Sequence, residues 1–131
     1  MRTAEQGTKK YEVDHIFPRG KLGDEEFLRE NGVEPDQIDW FKDNRDHIAN
    51  LQLLGPKENQ SKSDRDLNDW LDRIDNGYVG SLSDREEYFD QHRVPEDPNL
   101  HEYQNYPEFV EYRLDRMKGQ LETELPLKET L

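Results

Sequence analysis

The chain has 131 residues, 31% of them hydrophobic and 37% charged, with a formal net charge of −13 and no cysteine. This fits one domain with a thin apolar supply, so a shallow core, long solvated faces and some dependence on a partner surface are expected. Disulfides, thiolate zinc sites and a cysteine nucleophile are excluded, and no apolar run approaches the roughly 18 residues of a membrane-spanning helix.

Residues 1–9 are polar and expected to fray; with no apolar signal segment among them, the cytoplasm is the expected compartment. Lys10 to Ile16 alternates weakly, through Tyr11 and Val13, and predicts a short strand. Gly20 and Gly23 punctuate a loop. Asp24 to Asn31 predicts a helix capped by Asp24, with Phe27 and Leu28 on its buried side and Asn31-Gly32 as its stop. Pro35 to Asn44 predicts a second helix, with Ile38 and Phe41 three apart. Ile48 to Leu54 reads as another strand, ended by Gly55-Pro56, and a helical stretch then runs through Ser63. Leu67, Trp70, Leu71 and Ile74 make an amphipathic stripe over Asp66 to Asp75, closed by Asn76-Gly77. Ser83 to His92 predicts a short helix resting on Tyr88 and Phe89, and residues 93–99 a loop. Pro107 opens the longest helix, whose Val110, Leu114, Met117, Leu121 and Leu125 form one stripe for core packing or partner docking.

Charge is unevenly spread. Residues 1–22 hold five basic and three acidic residues, a net of +2, and the remaining 13 basic and 28 acidic residues make 23–131 net −15. The segment 56–65 is locally +1, through Lys57, Lys62 and Arg65 against Glu58 and Asp64. An acidic chain is an awkward partner for nucleic acid, and its least acidic parts are where any such contact is expected.

Those parts coincide with the residues suited to chemistry. Val13-Asp14-His15-Ile16-Phe17-Pro18 is followed downstream by Asn50-Leu51-Gln52-Leu53-Leu54 and then by Asn59-Gln60-Ser61-Lys62-Ser63-Asp64. Hydrolysing a phosphodiester without a covalent intermediate takes a base for water, a Lewis acid for the leaving oxygen, and a grip on the phosphate. His15 suits the base, because histidine is the side chain whose charge ordinarily changes near neutral pH. Asp14 and Asn59 offer hard oxygen donors, which favour one magnesium or manganese ion over zinc. Neighbouring strand residues face opposite ways, so Asp14 and His15 serve one site only if the strand breaks there, which Pro18 favours. Asn59 and Lys62, three apart on a helix, share a face, so Lys62 is expected to approach phosphate while Asn59 holds the metal.

Over residues 11–64 this pattern resembles the HNH endonucleases of the ββα-metal fold. It is similar to the HNH domain of RNA-guided CRISPR effector nucleases. It resembles more closely the C-terminal HNH domains of GmrSD-type, modification-dependent restriction systems and related anti-phage proteins. The resemblance implies Asp14 and Asn59 as metal ligands, His15 as general base, Asn50 as the pin of the loop carrying His15, and Lys62 near substrate. It also implies an α+β fold with a ββα core and additional surrounding helices, in a single domain whose metal-site core covers about 10–75 and whose helical extension covers about 76–131. The long stretch from about 21 to 47 departs from the tight linker of many such nucleases. The large NTP-binding recognition region of full-length restriction proteins is absent from the sequence, so an excised domain or a separate recognition chain is expected.

The expected activity is cleavage of DNA, with RNA left open. Two rival readings stand beside it: a catalytically silent nucleic-acid-binding or assembly module, and an acidic DNA-mimicking inhibitor. His47 is expected to be an exposed histidine, His92 and His101 unremarkable residues among acidic loops, and Trp40 and Trp70 core or contact residues.

Overall fold

Alternation along two short segments turns successive side chains of a hairpin to opposite faces. In the computed structural model, which describes residues 10–124, strand β1 (Glu12–His15) pairs antiparallel with β2 (Leu51–Leu54), and Asp14 lies opposite Gln52, Val13 opposite Leu53. Asp14 and Gln52 are buried, whereas Val13 and Leu53 are exposed. Both strands are shorter than expected. Ile16 N–H still reaches Asn50 O at 2.8 Å, but the chain then turns toward Pro18, which has no N–H to continue a ladder. Upstream of β2, residues Ile48–Asn50 form a 3-10 turn, because His47 Nδ1 accepts from Ala49 N–H and caps it. His47 is therefore a structural cap rather than a free surface histidine.

Helix α1 (Arg19–Leu22) was not expected in a segment punctuated by Gly20 and Gly23. It forms because Pro18 O accepts from both Lys21 N–H and Leu22 N–H. Helix α2 (Glu25–Glu30) follows, with the Asp24 carboxylate accepting from Phe27 N–H as its cap. The segment expected as one helix from Pro35 divides into a 3-10 turn at Pro35–Gln37 and helix α3 (Ile38–Asp43). Helix α4 (Pro56–Lys62) comes directly after β2, so β1, β2 and α4 form a ββα unit. Its start is fixed by Pro56 in the first turn and by Glu58 Oε1 accepting from Gly55 N–H at 2.9 Å.

The second half is helical: α5 (Leu67–Asp75), α6 (Arg85–His92) and α7 (Tyr106–Glu124), with 3-10 turns at Pro98–His101 and Tyr103–Asn105. The stripe on α5 is buried as expected, at Leu67, Trp70, Leu71 and Ile74. On α7, Val110 is buried and Leu114 packs against the core; Leu121 and Leu125 lie outside the described side chains. The core is shared by both halves of the chain. Phe17, from the motif, is ringed edge-on by Tyr103, Tyr106 and Phe109 at centroid distances of 4.8–5.4 Å. The chain is thus α+β, with a small antiparallel sheet among helices.

A buried cation locks α7 to the hairpin. Arg113 donates to Ala49 O (2.7 Å), Leu51 O (2.8 Å) and His92 O (2.9 Å), taking up carbonyls that the sheet edge and the end of α6 leave open. His92 and His101, expected as unremarkable residues among acidic loops, are half-buried and buried respectively. Burial holds the His101 pKa below the ordinary value and lowers that of His92 to about 4. The unfolded chain, with an ordinary histidine, binds this proton first as pH falls. The His92 contribution to stability is therefore complete above pH 6.5 and is lost progressively toward pH 4. Urea unfolding between pH 7.5 and 4 is expected to show a loss of about 2–3 kcal/mol from this source. The same series on His92→Gln should show a correspondingly shallower slope.

Candidate functional site

Asp14, His15 and Asn59 line one open cleft of about 570 Å³, together with Arg19, Lys21 and Asp64. Asp14 points under the hairpin toward α4, and His15, the last residue of β1, reaches the same cleft where the strand gives way to the turn at 16–18. Asn50 holds that turn. Its side chain accepts from Phe17 N–H (2.8 Å) and donates to Phe17 O and Arg45 O, both at 3.0 Å. Asn50 is fully buried and contacts backbone only, so it does not face the cleft.

Lys62 corrects an expectation. Instead of projecting from the helix surface toward phosphate, it is completely buried, and its Nζ lies 3.0 Å from Asp14 Oδ2 and 2.9 Å from His15 O. The last turn of α4 packs beneath the end of β1, so a side chain there points into the protein. Burial lowers the Lys62 pKa, while the Asp14 carboxylate acts in the opposite direction. Asp14 Oδ2 receives a second donor, Gln52 Nε2 at 2.9 Å, and the Gln52 amide is itself held by Tyr88 Oη–H at 2.7 Å. Lys62, Gln52 and Tyr88 thus fix the inner oxygen of Asp14 from α4, β2 and α6.

His15 is held from the opposite side. Its Nε2 lies 2.7 Å from Asp46 Oδ1, which also accepts from Arg19 Nε at 2.8 Å. Hydrogen bonds from Arg19 and then His15 lower the Asp46 carboxyl pKa to about 2, so it is ionised at neutral pH and only accepts. His15 Nε2 therefore carries the proton of the neutral ring, leaving Nδ1 with the lone pair. Asp46 was missed in the sequence because it lies 31 residues from His15. Gln52 and Tyr88 were missed because a strand glutamine and a helix tyrosine carry no local signal.

Asn59 donates its amide nitrogen to Glu12 Oε1 at 2.6 Å. A carboxylate only accepts, so this bond fixes the amide orientation. Among the described residues, the other oxygen of Asp14 and the amide oxygen of Asn59 have no hydrogen-bond partner. Two uncommitted hard oxygens on one cleft fit a divalent cation such as magnesium or manganese. Among the described residues, no three histidine or carboxylate groups gather into a chelating cluster. A larger cleft of about 1090 Å³ opens beside Leu53 and holds none of these residues.

The Lys62–Asp14 contact generates a stability prediction. Lys62→Met leaves the Asp14 carboxylate buried without its cation and is expected to cost about 3–5 kcal/mol in urea unfolding. Adding Asp14→Asn should recover part of that loss, giving a coupling of about 1–3 kcal/mol in the double-mutant cycle. Additive losses would show that the pair is not energetically joined.

No curated protein sequence matches this chain. Over residues 2–108 it matches the family described as GmrSD restriction endonucleases, C-terminal domain. The matched span contains both strands, α4 and every residue of the Asp14–His15–Asn59 cleft, and on that extent the chain belongs to the GmrSD restriction endonuclease C-terminal domain family.

Proposed function

We propose that this chain is a metal-dependent endonuclease that hydrolyses DNA phosphodiester bonds in restriction-type defence against foreign DNA. The observation that carries this reading is the convergence of the Asp14 carboxylate, the Asn59 amide oxygen and the His15 imidazole on one cleft. Asp14 and Asn59 would hold one magnesium or manganese ion, which when bound supplies Lewis-acid stabilisation of charge on the leaving oxygen.

The chain's own residues account for the proton. His15 Nδ1 accepts it from the attacking water, and Asp46, hydrogen-bonded to Nε2, stabilises the imidazolium that results. Arg19 and Lys21, brought to the cleft by α1, stand there in place of the buried Lys62; each is ion-paired, Arg19 with Asp46 and Lys21 with Asp66, so they offer the phosphate their remaining N–H donors rather than net charge. The surrounding acidity gives DNA no general attraction, so a recognition domain or separate chain that delivers DNA belongs to this reading.

Plasmid cleavage with magnesium or manganese, with and without chelator, tests the proposal. The wild-type chain should nick or linearise DNA only with metal. His15→Ala should lower the rate by about 10²–10⁴-fold. Asn59→Ala should raise the metal concentration needed for half-maximal rate. Equal cleavage by all three proteins would sink the mechanism.

Asp46→Ala leaves the metal ligands in place but frees His15 Nε2. Its rate should fall roughly tenfold with the metal dependence unchanged, since only orientation and tautomer are lost. A changed metal requirement instead would place Asp46 with the ligands.

A further inference from the structure

We propose that the larger cleft beside Leu53 seats a nucleotide of the DNA strand being cut, next to the scissile phosphate; this rests on the nuclease reading above. The cleft is lined by Tyr11, Leu53, Lys10, Lys57 and Tyr78, with Ser81 at its edge. Tyr11 and Tyr78 are 56% and 66% exposed, unusual for aromatic rings on so polar a chain. Tyr78 is already held as a platform: the Arg73 guanidinium lies 5.0 Å from its ring centroid, and Arg73 Nε is anchored on Ser61 Oγ. A ring backed by a cation on one face, with two-thirds of its area open, suits stacking by a base, which is tolerant of sequence.

Charge points to the same occupant. In a chain of net charge −13, the charged lining is Lys10 and Lys57 against Glu58, with Arg73 close behind. The Glu58 carboxylate is engaged by Gly55 N–H and the Ser81 hydroxyl. Lys10, Lys57 and Arg73 have no carboxylate partner among the described residues, so their charge is available to a phosphate backbone. The two clefts are also neighbours. Val13 lines the catalytic cleft, Leu53 lines this one, and the two residues are directly paired across the hairpin, where strands lie about 4.8 Å apart. A strand leaving the catalytic cleft over that exposed apolar pair arrives at the tyrosines.

The test uses the 131-residue chain carrying His15→Ala, so that DNA stays intact, with a single-stranded 12-nucleotide DNA containing 5-iododeoxyuridine. Photocrosslinking followed by peptide mapping should place the adduct on Tyr11 or Tyr78. Tyr78→Ala and Lys57→Glu, both at exposed positions, should each weaken binding roughly tenfold in fluorescence anisotropy while leaving the circular dichroism spectrum unchanged. Adducts confined to other residues, or unchanged affinity in both variants, would overturn the proposal and leave the cleft to a protein partner. Groove crosslinks together with a wild-type chain that fails to cut would refute the nuclease reading and keep the groove. Cleavage without groove crosslinks would do the reverse.

Discussion

A lysine ammonium sealed beneath the end of a strand organises this protein. Lys62 meets the Asp14 carboxylate and the His15 carbonyl at once, so one buried charge joins α4 to β1 at the point where the candidate chemistry lies. A buried cation of this kind is tolerable only when its donors are taken up, and the two groups that take them up are consecutive residues of the motif. This contact adds a tie between α4 and β1 to a hairpin of two four-residue strands, which is marginal alone.

From that contact, polar ties run outward into the helical half. Gln52 and Tyr88 carry the grip on Asp14 to α6, and Arg113 carries the grip on β2 to α7. Asn50 supplies a third tie, between the turn after β1 and the turn before β2. The later helices therefore belong to the support of the site. Phe17 makes the same point in apolar terms, since a motif residue is packed among rings from the chain's last third.

The sequence made local features legible and hid long-range ones. The stripe of α5, the Asp24 cap and the Gly55-Pro56 start of α4 depend on residues a few positions apart, and each lies where its pattern implies. Helix α1 was concealed by two glycines, because its formation rests on the Pro18 carbonyl rather than on propensity. Asp14, His15 and Asn59 were recognisable as chemical types at a telling spacing. The orientation of Lys62 was not, since helical spacing says which residues share a face but not whether that face looks outward. Asp46, Gln52 and Tyr88 act across 31 to 38 residues, a distance over which periodicity carries no information.

The cations of the candidate cleft are already paired: Arg19 with Asp46 and Lys21 with Asp66. At distances beyond a few ångströms an approaching polyanion meets the field of the whole chain, whose net charge of −13 outweighs the few cations beside Leu53. Diffusional encounter is repulsive, and mobile ions that shield the repulsion accelerate it. Where electrostatic steering ordinarily makes association with DNA fastest in dilute buffer, encounter with this chain by itself is slowest there, which favours tethering over free diffusion as the way substrate is supplied.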